Sequence, residues 1–161
     1  MLQGMGATLH PNLEPLASLI GTWSGPGQGE YPTIEPFAYE ETVTFSHVGK
    51  PFLAYSQRTS SAEDGRPLHS ELGFWRVPRP GQVEVVLSHP TGITEIGEGR
   101  LEGRTLSLRS TSVGRTGTAL EVVAIDRHFE IDDTVLRYRL SMAAVGQPMT
   151  HHLAAELRRI D

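Results

Sequence analysis

The sequence predicts an all-β protein, an antiparallel β-barrel of about ten strands behind one short N-terminal helix. Three observations carry that expectation. From residue 36 onward, apolar and polar residues alternate in short runs, which is the period of a half-buried strand. Clusters of Gly, Pro and Asp separate the runs at close spacing. No helix-length segment recurs between them, so the βαβ spacing of a parallel sheet is absent. A meander with this many strands stacks or closes on itself, and closure removes the edges that invite aggregation.

Residues 12–20 supply the helix: Asn12 is placed to cap it, Leu13, Leu16 and Ile20 share one face, and Gly21 stops it. A strand follows at Trp23, whose indole is expected to plug one end of the barrel. This order resembles the start of lipocalin-like and fatty-acid-binding-protein-like barrels. Gly25, Gly27 and Gly29 suit a tight, shaped loop rather than a regular element. Residues 39–47 then form a strand with Tyr39, Val43 and Phe45 on one face. Further strands fall at 52–59, 69–77, 83–88, 93–99 and 105–111, joined by turns such as Glu63-Asp64-Gly65-Arg66-Pro67 and Pro78-Arg79-Pro80-Gly81. Residues 119–130 come next, with Val123, Ile125, Phe129 and Ile131 alternating. Asp132-Asp133 opens 135–143, where Leu136, Tyr138, Leu140 and Met142 share a face, and 149–159 is the last strand. Residues 1–8 read as a loose tail and residues 9–161 as one barrel domain.

Composition narrows the function. A net charge of −5 argues against nucleic acid, whose binding rests on clustered Lys and Arg. The absence of Cys removes disulfides, thiolate nucleophiles and iron–sulfur clusters. No apolar stretch approaches the ~20 residues of a membrane span, and no secretory signal core opens the chain, so a cytoplasmic protein without a membrane partner is expected. The G-x-G-x-G run does not read as a dinucleotide loop, because Pro32 and Pro36 follow where a helix would have to begin.

The seven histidines are the groups best able to bind a metal or move protons near neutral pH. His10 reads as solvated, His47 and His89 as turn residues, and His128 as pointing outward, opposite Ile125 and Phe129. His69, His151 and His152 remain. Neighbours on a strand face opposite sides, so only one of His151 and His152 is expected to look inward. Alternation favours His151, because Met149, Leu153 and Leu157 fall on its side.

The run Gly21-Thr22-Trp23-Ser24-Gly25-Pro26-Gly27-Gln28-Gly29-Glu30-Tyr31-Pro32-Thr33-Ile34 goes further than a lipocalin. With 47–52 (HVGKPF), 69–74 (HSELGF), 92–95 (GITE) and 147–153 (QPMTHHL) in order behind it, the chain resembles the nitrobindin family of small haem-binding β-barrels. The resemblance implies one b-type haem per subunit, as ferric haem isomerising peroxynitrite to nitrate, and able to bind nitric oxide when ferrous. In the family motif Q-P-x-x-x-H-L the last His binds the iron, which lands on His152. Leu153 and Leu157 would then pack outside the barrel against the helix. The resemblance also places Thr33, His69 and Met142 against the haem, with Ile34 and Phe37 as cavity walls. A different class of function, a carrier or store of haem or another lipophilic molecule, fits a barrel of this size too. Arg137, Arg139 and Tyr138 are available to meet a carboxylate, but only Tyr138 falls on the apolar face. Either way the expected partners are small molecules, and the chain a monomer or homodimer.

Overall fold

In the computed structural model, which describes residues 6–161, ten antiparallel strands close into one barrel. They are β1 Gly21–Tyr31, β2 Ile34–Ser46, β3 Leu53–Ser61, β4 Pro67–Arg79, β5 Gln82–His89, β6 Ile93–Glu102, β7 Thr105–Arg115, β8 Val122–Ile131, β9 Val135–Ala144 and β10 Thr150–Arg159. Each strand pairs with its sequence neighbour, and β1 also pairs with β10, so no edge is left open. The expected barrel with one short helix is what forms. Among the described residues no helix is long and apolar enough to cross a membrane.

The helix spans Pro11–Leu19 and is 3₁₀ throughout. Its three-residue turn explains why Leu13, Leu16 and Leu19 are the buried residues, rather than the Leu13, Leu16 and Ile20 face of an α-helix. Pro15 lacks the N–H an α-helical bond would need. The cap also differs from expectation: His10 Nδ1 accepts from the Asn12 N–H at 3.2 Å, so His10 rather than Asn12 caps the helix. The helix closes one end of the barrel. Trp23 Nε1 donates to the Leu19 carbonyl at 2.9 Å, and Arg159 donates to the carbonyls of Ser18 and Ile20 with its guanidinium 4.4 Å above the Trp23 ring. These donors satisfy carbonyls that a helix end leaves free. Above them Phe45 and Phe129 meet Trp75 edge to face, Tyr55 lies tilted against Phe45 and Trp75, and the four rings fill the lower core.

The glycine-rich run is not a loop. Trp23, Gly25, Gly27, Gly29 and Tyr31 are alternate residues of β1, and spacing by two is the strand period. The strand carries glycine because the space is already used. A Cβ on Gly27 would lie 2.2 Å from the Tyr39 ring, and one on Gly29 would lie 2.2 Å from the Phe37 ring. Both are direct cross-strand pairs, Gly27 with Tyr39 and Gly29 with Phe37. Aromatic rings laid over cross-strand glycines pin a register in this way.

Two further expectations change. Residues 116–121 form a turn, so β8 starts at Val122 rather than at 119. A register shift between Val122 and Ala124 leaves Val123 exposed instead of sharing the inward face of Ile125. Of the expected tail, residues 1–5 lie outside the described residues, and Ala7 and Thr8 lie against the Gly49 turn; Leu9, at the start of the expected barrel domain, packs on the core.

Candidate functional site

The end of the barrel opposite the helix holds a cavity of about 620 Å³, a size suited to a small organic ligand. Ile34, Phe37, Leu68, Ile93, Leu140 and Met142 contribute apolar wall. Thr33 sits at the rim, in the Pro32-Thr33 turn between β1 and β2. His69 and His152 both line the cavity, so the structure brings the expected site residues Thr33, Ile34, Phe37, His69, Met142 and His152 around one space. Of the glycine-rich motif, Gly21 and Trp23 lie at the closed end, while a Cβ on Gly25 would meet the Glu156 carbonyl of β10 at 2.3 Å. Gly25 thus permits close approach of two strands and does not touch the cavity.

The choice between His151 and His152 comes down to one β-bulge. His151 pairs with Ser141 and Leu153 with Leu140, so two consecutive residues of β9 oppose three of β10, and His152 is the extra one. His151 lines an outer groove with Ser141. Leu153 and His152 both line the cavity, and Leu157 is buried in the core. Leu153 and Leu157 therefore face inward, and do not pack outside against the helix. Strand alternation placed them correctly and failed only at the bulge.

His152 is held in one tautomer. Its Nδ1 lies 2.9 Å from the Glu30 carbonyl, which can only accept, so Nδ1 carries the proton and Nε2 keeps its lone pair. Tyr31 and Phe37 flank the ring edge-on at 5.4 and 6.4 Å between centroids. Burial lowers the imidazole's pKa, and the ring is neutral at neutral pH. Tyr31 in turn donates to the Met142 carbonyl at 3.0 Å and accepts from the Ala144 N–H at 3.1 Å, tying the mouth of β1 to β9.

Beneath the cavity lies an ionic layer that the sequence reading missed. Arg127 donates to both oxygens of Glu71 at 2.9 and 3.1 Å, and to both oxygens of Glu95 at 2.7 and 2.9 Å. All three side chains are buried. Tyr55 adds a donation to Glu71 at 2.9 Å. His89 is not a turn residue: it ends β5 with its side chain 7% exposed, 3.0 Å from Glu95 and 3.1 Å from His69 Nε2. Nearby, Tyr138 donates to Glu41 at 2.5 Å and shares a 2.8 Å hydrogen bond with Tyr39. Burial pushes the Glu41 carboxyl up to about 7, against the hydrogen bond from Tyr138.

This layer bears on the carrier alternative. Arg137 pairs with Glu156 on the outer surface, as expected of an outward residue. Arg127 is the interior cation a fatty-acid carrier would need. Its guanidinium is already committed to two carboxylates, and it has no fork left for a third.

The sequence matches the family described as a THAP4-like, heme-binding beta-barrel domain over residues 12–159. It is 56% identical to peroxynitrite isomerase 2 of Mycobacterium marinum, covering 96% of this chain and 99% of that protein. It is 54% identical to a peroxynitrite isomerase of Nocardia farcinica, covering 94% and 92%. Among solved structures, Rv2717c from M. tuberculosis superposes with a TM-score of 0.90 at 52% identity, covering 96% of this chain and 100% of that one. The chain thus belongs to the THAP4-like haem-binding β-barrels, the nitrobindin family.

Proposed function

We propose that the protein is a peroxynitrite isomerase that carries one b-type haem per chain on His152. The observation that carries this reading is the His152 ring. Its Nδ1 proton is spent on the Glu30 carbonyl, and its bare Nε2 belongs to a neutral imidazole on the wall of a largely apolar cavity. Proteins fix an iron- or zinc-binding histidine in this way, through a hydrogen bond from its other ring nitrogen. The residues present fit a haem in two other respects. The cavity has the volume and apolar walls of a cofactor site, and Ile34 and Leu68 are exposed at its rim, where they can cover the edges of a lipophilic disc.

Haem, when bound, supplies a Lewis-acidic ferric iron for the rearrangement of peroxynitrite to nitrate and, reduced, a site for nitric oxide. The chain itself does the rest. His152 positions the ligand, and Tyr31 and Phe37 hold its ring plane. Apolar walls exclude water and limit side reactions of reactive species. His69 and Met142 shape the pocket, and Thr33 at the rim helps retain the cofactor.

Adding hemin to the purified chain should produce a Soret band that saturates at one equivalent. In stopped flow, the loaded protein should speed peroxynitrite decay and raise nitrate yield, and the hemin-free chain should do neither. Equal decay with and without bound haem would replace the isomerase with a haem carrier.

A further inference from the structure

His69, Glu71 and His89 each bring one ligating atom to within 4.8 Å of the other two at the floor of the cavity. His69 Nε2 and His89 Nδ1 are 3.1 Å apart, and His89 Nδ1 and Glu71 Oε1 are 3.8 Å apart. Two bonds of about 2.0–2.1 Å to one metal ion separate their nitrogens by about 2.9–3.4 Å, so the imidazole pair already has the spacing of a chelate. We infer that His69, His89 and Glu71 form a binding site for a first-row divalent metal ion, with Zn²⁺ and Fe²⁺ the ions best suited to two imidazoles, one carboxylate and open positions.

A hydrogen bond between the two rings explains the 3.1 Å separation but not the third partner. Glu71 Oε1, at 3.8 Å, is too far to accept from His89, yet it is held beside it. Groups that would orient the ligands are also in place. Glu95 lies 3.0 Å from His89 Nε2, so a proton there is held by the carboxylate and the Nδ1 lone pair is turned toward His69 Nε2, where an ion would take the place of the proton between the rings. Arg127 and Tyr55 fix the Glu71 carboxylate. Carboxylate–histidine–metal relays of this kind set ligand orientation in metal sites. Charge points the same way. Glu71 and Glu95 face a single guanidinium, so the buried carboxylates outnumber the fixed cation by one. A cation at the three donors supplies what is missing. Because all three residues line the cavity, an ion has an entry path, and its remaining positions face the open space. The site uses none of the residues assigned to haem retention except His69, and it does not rest on the haem proposal.

The test is a calorimetric titration of the full chain, free of added hemin, with Zn²⁺, and an optical titration with Co²⁺. One equivalent should bind. His69→Ala and His89→Ala should each weaken binding by more than about 100-fold, and Glu95→Gln by about 10–100-fold. His152→Ala and His151→Ala should bind as the parent does. Nitrogen NMR of the unmutated chain guards against variants that fail to fold: Zn²⁺ should shift the His69 and His89 ring resonances and leave those of His128 and His151 unmoved. Absence of stoichiometric binding, unchanged binding in His89→Ala, or loss of binding in His152→Ala would each overturn the inference.

Discussion

Gly29 and Phe37 face each other across the β1–β2 hairpin, and the phenyl ring fills the space that a side chain on Gly29 would take. The same ring flanks His152 at 6.4 Å. A strand position thus controls the placement of a cavity histidine through one aromatic side chain.

Gly29→Ala should therefore do two things. A methyl group 2.2 Å from the Phe37 ring forces the ring to move, and overpacking of this kind costs about 1–3 kcal/mol. Thermal unfolding should show the lower midpoint, and hemin titration should show weaker binding as the ring shifts against His152. Gly29→Ala combined with Phe37→Leu should recover part of the stability. Additive losses in that double variant would show that the two residues are not coupled.

Glu41 makes a pH prediction. Its carboxyl has an ordinary value of 4.5 and is pushed up to about 7 by burial. The folded state therefore holds a proton that the unfolded state releases between pH 4.5 and 7, and stability falls as pH rises through that window. The loss is bounded at about 3 kcal/mol, from 1.36 kcal/mol per unit. Glu41→Gln keeps an acceptor for Tyr138 without the ionisation. Denaturant midpoints should fall between pH 5 and about 7.5 in the parent and stay flatter in Glu41→Gln. Parallel curves would remove Glu41 as the cause.

The barrel was legible in the sequence because strand and turn chemistry are local. Tyr39, Val43 and Phe45, or Leu136, Tyr138 and Leu140, announce a buried face by alternation, and they are buried. The same parity places members of the ionic layer inside. Glu41 lies between Tyr39 and Val43, and Arg127 between Ile125 and Phe129, on the inward parity of their strands. A charged residue at an inward position is the signal that could have found them. Their mutual contacts were not legible, since Glu71, Glu95 and Arg127 come from three strands whose meeting depends on closure. The glycine-rich run is ambiguous for a different reason. Glycine at every second position satisfies both a loop composition and a strand period, and only the rings of Phe37 and Tyr39 show which applies.

Arg127→Met should be among the most damaging single changes. It leaves Glu71 and Glu95 buried without their cation, and breaking a buried ion cluster costs about 3–5 kcal/mol. The acid limb of the stability curve should change sign as well. Burial alone would raise the Glu95 carboxyl, but the Arg127 charge and the hydrogen bonds from His89 and Arg127 hold it at about 2. The parent should hold that stability above pH 4.5 and lose it as pH falls toward 2. In Arg127→Met the carboxylates keep Tyr55 and His89 but lose the guanidinium that offsets their burial, so lowering the pH should stabilise the variant. A parent-like acid limb in Arg127→Met would assign the acid sensitivity to other groups.

The bulge in β10 predicts different fates for two adjacent histidines. His152 is the unpaired extra residue and lines the cavity, whereas His151 pairs with Ser141 and lines an outer groove. His152→Ala should abolish the five-coordinate histidine–iron spectrum of hemin-loaded protein, and His151→Ala should leave it intact. His152→Ala removes one hydrogen bond to the Glu30 carbonyl and the ring's contacts with Tyr31 and Phe37, so it should unfold about 1 kcal/mol below the parent, and His151→Ala within about 0.5 kcal/mol. A loss that small leaves both variants folded and separates a ligand effect from a folding effect. Free imidazole added to His152→Ala should restore part of the spectrum, since the apolar pocket around the missing ring remains. Loss of the spectrum in His151→Ala, with His152→Ala unaffected, would mean that the chain presents the other histidine to iron and that the bulge shifts when haem binds.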